Sequence, residues 1–318
     1  MKELEFLKLY SLVMRRIKSV LGRLFSKDGG YWLLLYLIIR PLKYSKILSD
    51  QFIVSTMFRC ELGRSLDLNT PKTFNEKLQW LKLNIRDPLF PTIVDKIKAK
   101  EYVGGIIGEE YIIPTYQIVS KFDEIDFEAL PEMFVIKANH DSGSVYVCKN
   151  KIEFEKDRKR IQRRFDSSLK RNYYYEGREW AYKNVKPMLL VEKYLQNDNG
   201  APLRDYKFFC FDGEPKFLYV SEELYSHNKV RMQYLSADFT ATDIHFDEYE
   251  SFTPEKPEKY EEMKMVCREL SRNLKFARID LYYINGRVYF SEITLYPASG
   301  FRKYPYDVDL RIGKLLKI

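Results

Sequence analysis

Cysteine is scarce in this chain of 318 residues. Cys60, Cys148, Cys210 and Cys267 are widely scattered. With no C-x-x-C pair there is no zinc-finger spacing, and buried reduced thiols in a cytosolic protein are the expectation. Long apolar runs are lacking too. Tyr31–Ile39 is apolar but only about half the ~20 residues a spanning helix needs, and no secretory signal stands out. There is no nucleic-acid motif, no internal repeat and no long low-complexity tract, so nucleic acid is not an expected partner. No Asp-x-Asp metal motif occurs in a nucleotide-sugar fold context, which leaves a sugar transferase without support.

What is present is a soluble, globular composition: 45% hydrophobic and 31% charged residues, in a chain long enough for two or three lobes. The formal net charge is +8, which favours anionic partners such as nucleotides, acidic glycans or an anionic membrane surface. Aromatics make up 15%, with 25 Tyr and 21 Phe; a cleft that handles rings and a set of Tyr-rich strands explain this equally well. The N-terminus, with Leu4, Phe6, Leu7, Leu9, Leu12, Val13, Ile17, Val20 and Leu21 between Lys and Arg, has the pattern of an amphipathic basic helix. Such a helix either packs on the core or lies on the inner face of the cell membrane.

The C-terminal third carries the strongest local signal. Arg278–Tyr282 and Tyr289–Thr294 flank Asn285-Gly286, which predicts a β-hairpin. Asp280 and Glu292 lie at near-equal distance from the turn, so paired positions would bring two carboxylates together on one face. Such a pair repels unless a cation sits between, and hard divalent ions bind one or two carboxylates plus substrate phosphates. Arg278 shares the parity of Asp280.

Elsewhere the pattern alternates helices and strands. Residues 1 to about 90 read as helical; Thr73 or Asn75 can cap a helix, with Glu76 completing a capping box from Thr73. A short helix runs from Asp95 to about Val103, ending at Gly104-Gly105. Ile112–Val119 reads as a strand interrupted at Pro114. Phe134–Lys137 and Val145–Val147 are strands around a glycine loop, Ala138–Ser144. Residues 153–171 form a very basic helix, either a solvated face or a surface for an anionic polymer. Leu189–Leu195 is a strand, Asp205–Phe211 and Pro215–Val220 a hairpin around Asp212-Gly213, and Glu258–Leu274 a helix. The fold class is α+β, with a helical N-terminal region (1–94) that touches the membrane in the second reading above, a middle part (95–190) and a C-terminal lobe (191–318).

These landmarks in this order resemble the TupA-like ATP-grasp family. The resemblance rests on Pro71–Trp80, Asp95-Lys96, Phe134–His140, Asp205–Gly213 and Arg278–Thr294, over roughly residues 50–310. It implies an ATP-grasp fold, two α+β lobes clamping ATP, and carboxylate–amine ligation through an acyl phosphate. It also implies ATP and two Mg²⁺ ions as cofactors, with a uronic acid or other glycan carboxylate and an amino acid or amine as partners, in cytoplasmic synthesis of capsule, O-antigen or teichuronopeptide-type polysaccharide. Lys96 and Lys137 would contact phosphates, with Lys100 competing with Lys96, and the loop Ser142, Gly143 and Ser144 would offer backbone N–H groups. Glu192, Lys193, Tyr194 and Leu195 would hold adenine, and Asp205 the ribose. Lys207 would be aimed at the phosphates. Asp280 and Glu292 would be metal ligands, and Arg278 would steady the tetrahedral intermediate. Thr294 stands where many relatives carry Asn, and its hydroxyl would hold a metal or a water. His140 would donate to phosphate, act as a base, or simply cap the loop. Pro297–Gly300 would lie near the acceptor. A fold retained for glycan binding without catalysis is the competing reading, and the intact Lys137, Asp280 and Glu292 argue against it.

Overall fold

The computed structural model describes residues 41–222 and 230–318; the N-terminal amphipathic helix, Tyr31–Ile39 and His227 lie outside these. The longer helices are α1 (Asp50–Leu62), α2 (Phe74–Asn84), α3 (Lys96–Ile107), α4 (Lys151–Leu169), α5 (Tyr260–Ser271) and α6 (Tyr306–Leu315). The strands are β1 (Thr115–Val119), β2 (Phe134–Ala138), β3 (Val145–Cys148), β4 (Leu189–Lys193), β5 (Asp205–Phe211), β6 (Glu214–Glu222), β7 (Arg231–Ser236), β8 (Phe276–Ile284) and β9 (Arg287–Thr294). No helix of the described residues is long and apolar enough to cross a membrane. All four cysteines are free, three of them buried.

The chain divides into two compact units. The first takes the described residues up to Ile85, with Tyr174–Trp180 and Ala298–Lys314. Thr73 caps α2 in a full capping box with Glu76, as the sequence predicts. Asn75, the other capping candidate, instead lies inside the first turn. Its backbone N–H donates to Asp309 Oδ1 at 2.9 Å and its side chain to Asp309 Oδ2 and the Arg302 carbonyl. Gln79 and Lys82 continue this polar face. Gln79 Nε2 donates to the Ser299 and Gly300 carbonyls at 3.1 and 2.8 Å, and Lys82 Nζ to the Gly177 and Ser299 carbonyls at 2.9 and 2.7 Å. Ala298 and Ser299 are in the left-handed region, at φ 48° and 53°. Non-glycine residues hold this conformation only where the surroundings over-determine it, here through the α2 side chains on the adjoining carbonyls.

The second unit, Arg86–Tyr173 and Ala181–Pro297 with the last four residues, contains both sheets. One is antiparallel in the order β1-β4-β2-β3; the other has the order β7-β6-β5-β8-β9. In the first, Phe134, Ile136 and Ala138 of β2 and Leu189 and Val191 of β4 join Phe154, Ile161 and Phe165 of α4 in one apolar core. Val135 and Lys137 point the opposite way, as strand alternation requires, and line a cavity. In the second sheet, α5 buries Met263, Val266, Cys267 and Leu270 beside β5, β6 and β8. Much of the aromatic surplus sits in these cores, for example Phe127 against Phe154 with ring centroids 4.8 Å apart.

Several boundaries differ from those expected. Helix α3 does not stop at Gly104-Gly105 but runs to Ile107 and ends at Gly108, with φ 108°. A Cβ on Gly104 would meet only the carboxylate end of the exposed Glu109 side chain, which can swing aside, so neither glycine breaks the helix. Pro114 delays β1 to Thr115; Ile112 makes only an isolated bridge to Phe290. Helix α4 begins two residues before Glu153 because Asn150 caps it through Glu153 N.

Candidate active site

Residues of the second unit build the site from both sheets. The Asn285-Gly286 turn forms as expected, with φ 50° and 77°, the two positive values a type I′ hairpin turn needs. Pairing runs regularly from Ile284↔Arg287 to Leu281↔Phe290, then shifts to Asp280↔Glu292. Ser291 is thus the extra residue of a β-bulge. Without it Asp280 would face Ser291, and Glu292 would turn to the other side of the sheet. Strand β5 adds Lys207 opposite Asp280, and β6 adds Tyr219 opposite Lys207. Tyr219, Lys207, Asp280 and Glu292 therefore form one row across four strands.

The row is closely bonded. Lys207 Nζ lies 2.5 Å from both Asp205 Oδ2 and Asp280 Oδ2. Arg278 donates to both oxygens of Asp280 at 2.6 Å, to Glu292 Oε1 at 2.9 Å and to Thr294 Oγ1 at 3.0 Å. Asp280 has no exposed side-chain surface, whereas the Glu292 side chain is 36% exposed. Burial pushes the Asp280 carboxyl up, to about 7, against the pull of Arg278 and Lys207. Burial acts upward on Glu292 too, but Arg278, Lys207 and Lys96 outweigh it and hold that carboxyl down to about 2. Burial would lower Lys207, yet Asp205 and Asp280 on either side keep it well above its ordinary range.

A second charged cluster comes from the first sheet. Glu192 on β4 is buried and receives Lys137 Nζ at 2.6 Å from β2 and Lys100 Nζ from α3. Lys100 is further fixed by the Ile113 carbonyl and Thr115 Oγ1 at 2.8 and 2.7 Å. Burial opposes ionisation of Glu192, but the two lysines bring its carboxyl below the usual value. A cavity of 400 Å³ adjoins these groups, lined by Val135, Lys137, Glu192, Tyr194, Asp205 and Tyr282 among others. Lys193 and Leu195 line it as well, as does Lys149, a cation that the sequence reading passed over. Asp205 Oδ1 is buried without a hydrogen-bond partner, an acceptor available to a ligand hydroxyl.

The glycine loop is closed by Ala138 N donating to the Ser144 carbonyl at 3.0 Å. Ser142 and Gly143 are exposed, and Gly143 has φ 92°. Asp141, another residue not singled out in the sequence, organises the loop. Its Oδ2 accepts from Ser144 and Ser168 hydroxyls at 2.5 and 2.6 Å, and its carbonyl accepts from Lys96 Nζ at 2.5 Å. Asp95, the N-cap of α3, accepts from Asn139 Nδ2 at 2.9 Å, so the Asp95-Lys96 and Phe134–His140 strings meet in space. His140 is not brought to the carboxylate row. It is buried, with Nδ1 3.3 Å from Asn139 Oδ1 and Nε2 3.1 Å from the Ser168 carbonyl, and burial lowers its pKa.

A family model, TupA-like ATPgrasp, matches residues 76–317. The chain belongs to the TupA-like ATP-grasp family. Its α+β architecture of two sheets is accordingly an ATP-grasp fold. Among solved structures, this family member aligns with the D-alanine–D-alanine ligase of Helicobacter pylori at 17% identity and TM-score 0.45, over 77% of this chain and 69% of that one. It aligns with the ATP complex of the Bacillus anthracis D-alanine–D-alanine ligase at 16% identity and TM-score 0.37, over 64% of this chain and 55% of that one. With the L-amino acid ligase of Bacillus licheniformis the values are 12% and 0.41, over 71% and 49%. The chain thus spans about half of the length of the last two, and similarity of this degree says nothing of substrate. No curated protein matches the sequence significantly.

Asp280, Glu292 and Thr294 offer hard oxygen donors, the chemistry Mg²⁺ selects. Among the described residues no cluster of three or more His, Cys, Asp or Glu side chains could hold a metal alone. The set suits an ion completed by phosphate oxygens and water, which is how Mg²⁺ usually binds. Glu292 is the open donor; both Asp280 oxygens are engaged by Arg278 and Lys207.

Proposed function

We propose that the protein is an ATP-dependent carboxylate–amine ligase that forms an amide through an acyl phosphate. The observation that carries this is the Lys207–Asp280–Glu292 row, with Arg278 bonded to both carboxylates, in the same compact unit as the Lys137–Glu192–Lys100 cluster. Membership of the ATP-grasp family supports it.

In this reading the base and sugar of ATP occupy the cavity between Val135 and Tyr282, Asp205 accepts from a ribose hydroxyl, and the Lys193–Leu195 strand end holds adenine. Lys137, fixed by Glu192, and Lys96, fixed by the Asp141 carbonyl, supply positive charge to the phosphates, and Ser142–Ser144 supply backbone N–H groups. Asp280 and Glu292 would hold Mg²⁺, two ions in the fullest reading. Bound there, Mg²⁺ would supply positive charge against the charge developing in phosphoryl transfer. The substrate carboxylate attacks the γ-phosphorus, breaking the bond to the β-phosphate oxygen and releasing ADP. An amine then attacks the acyl carbon and expels phosphate, and Arg278 steadies the oxyanion. Thr294 keeps Arg278 and Glu292 in register through its hydroxyl. His140 takes no step here, since it is buried beside the Ser168 carbonyl and makes no contact with the carboxylate row.

The substrate is read as a glycan carboxylate, a uronic acid of a cell-surface polysaccharide, joined to an amino acid or simple amine in the cytoplasm or at the inner membrane face. The net charge of +8 suits an acidic acceptor. A sugar transferase is disfavoured by a specific contact: in the chain's Asp-x-Asp string, Asp307-Val308-Asp309, Asp309 is taken up by Asn75 and Arg64. The test is incubation with ATP, Mg²⁺ and panels of uronic acids and amines. ADP and phosphate are expected in equal amounts only when both substrates are present. ADP formation in the Glu292→Gln variant at the native rate would remove the metal assignment.

A further inference from the structure

Outside the ATP cavity the second unit has a smaller concavity of 150 Å³, whose lining includes Lys170, Arg171, Asn172, Tyr173 and Tyr182. None of its lining residues is acidic. Tyr173 and Tyr182 meet edge to face, with centroids 5.0 Å apart, which fixes the two rings against each other at the concavity. Asn172 is fixed by its donation to the Lys183 carbonyl at 2.9 Å, and Lys183 and Lys186 are exposed in the same segment. Among the described residues the Arg171 side chain is held by a long contact, 3.4 Å, to Asp141 Oδ2, and it is 49% exposed. A guanidinium so loosely engaged can turn to an incoming anion and bind it bidentately.

We propose that this concavity is a subsite for an acidic sugar residue, distinct from the ATP cavity. The volume suits a single sugar ring. Lys170 and Arg171 would take the carboxylate and Asn172 a hydroxyl. Leu169, Val185 and Pro187, which also line the concavity, would supply the apolar wall on which the ring's C–H surface packs. Arg171 contacts Asp141, whose carbonyl holds Lys96, so occupancy is mechanically joined to the glycine loop. The inference deepens the acidic-glycan part of the proposed function and rests on it for its biological sense. The binding itself is tested without nucleotide or amine.

Calorimetry on the full chain, with a galacturonate trimer, maltotriose and inorganic phosphate as probes, decides it. The uronate trimer is expected to bind, with maltotriose and phosphate each at least about tenfold weaker (~1.4 kcal/mol). Lys170→Gln with Arg171→Gln should weaken the trimer by about tenfold or more, whereas Lys170→Arg, which keeps the charge and leaves the Arg171 fork in place, should bind it as the native chain does. Both side chains are exposed, so an unchanged thermal melt is expected and marks the variants as folded. Equal binding of maltotriose or phosphate, or an undiminished affinity in the Gln pair, would overturn the assignment. A ligase assay that stays silent on uronic acids would count against the proposed reaction and leave this binding result standing.

Discussion

Glu192 illustrates how single residues set the chemistry. It is a buried carboxylate shared by Lys100 and Lys137, so its first effect is to aim two lysines. Glu192→Gln should remove the carboxylate that the two lysines share. Removing one partner of a buried pair costs about 3–5 kcal/mol, and urea unfolding should register a loss of that order. In the proposed phosphate site, Lys137→Met removes one cation. The expected loss is on the order of 10²–10³ in kcat, read by single-turnover kinetics. Glu292, held down to about 2, has a folded pKa below its unfolded value. Its charge therefore adds stability above the unfolded pKa, and that contribution is lost as pH falls through about 4 toward 2. The stability gap between wild type and Glu292→Gln should accordingly shrink over that interval in acid titrations followed by circular dichroism. A gap that widened toward low pH would reverse the sign of the argument.

At the scale of elements, the polar face of α2 is tied to the backbone of residues 299–302. Gln79→Ala withdraws donors from two carbonyls, a buried loss of about 1–3 kcal/mol. Amide exchange should rise most in residues 298–304; exchange that rises only in the α2 backbone would mean the clamp holds nothing. The hairpin shows what a sequence does and does not display. Asn285-Gly286 specifies the turn, and the flanking strands are plain from their β-branched and aromatic residues. Yet Asp280 and Glu292 differ by one in their distance from the turn, and only the Ser291 bulge, which nothing local announces, brings them face to face. The Lys207 partnership was legible as a type of residue but not as a contact, because it depends on β5 lying beside β8, a pairing of distant segments. Asp141 was hidden for the same reason: its partners Ser168 and Arg171 lie at the far end of α4. His140 stayed open between chemistry and capping because its burial beside the Ser168 carbonyl depends on a distant helix end. Thr73 was readable as a cap since the capping box is entirely local.

For the whole molecule, the +8 charge predicts electrostatic attraction of an acidic acceptor. The Debye length falls from about 10 Å at 0.1 M salt to about 3 Å at 1 M. The KM for a uronic-acid acceptor should therefore rise with ionic strength, more steeply than the KM for a neutral amine; parallel curves would assign the charge to some other partner. The α+β class and the family were legible because the telling strings stand in a fixed order along the chain. The division into two units was not, because the first collects three separate stretches. The central claim, that phosphate is carried by the substrate carboxylate, is tested most directly by isotope transfer. With the acceptor carboxylate labelled with ¹⁸O, and ATP, Mg²⁺ and amine supplied, the account predicts label in the released phosphate with ADP as the nucleotide product. AMP as the product, or amide formed while the phosphate stays unlabelled, would contradict it.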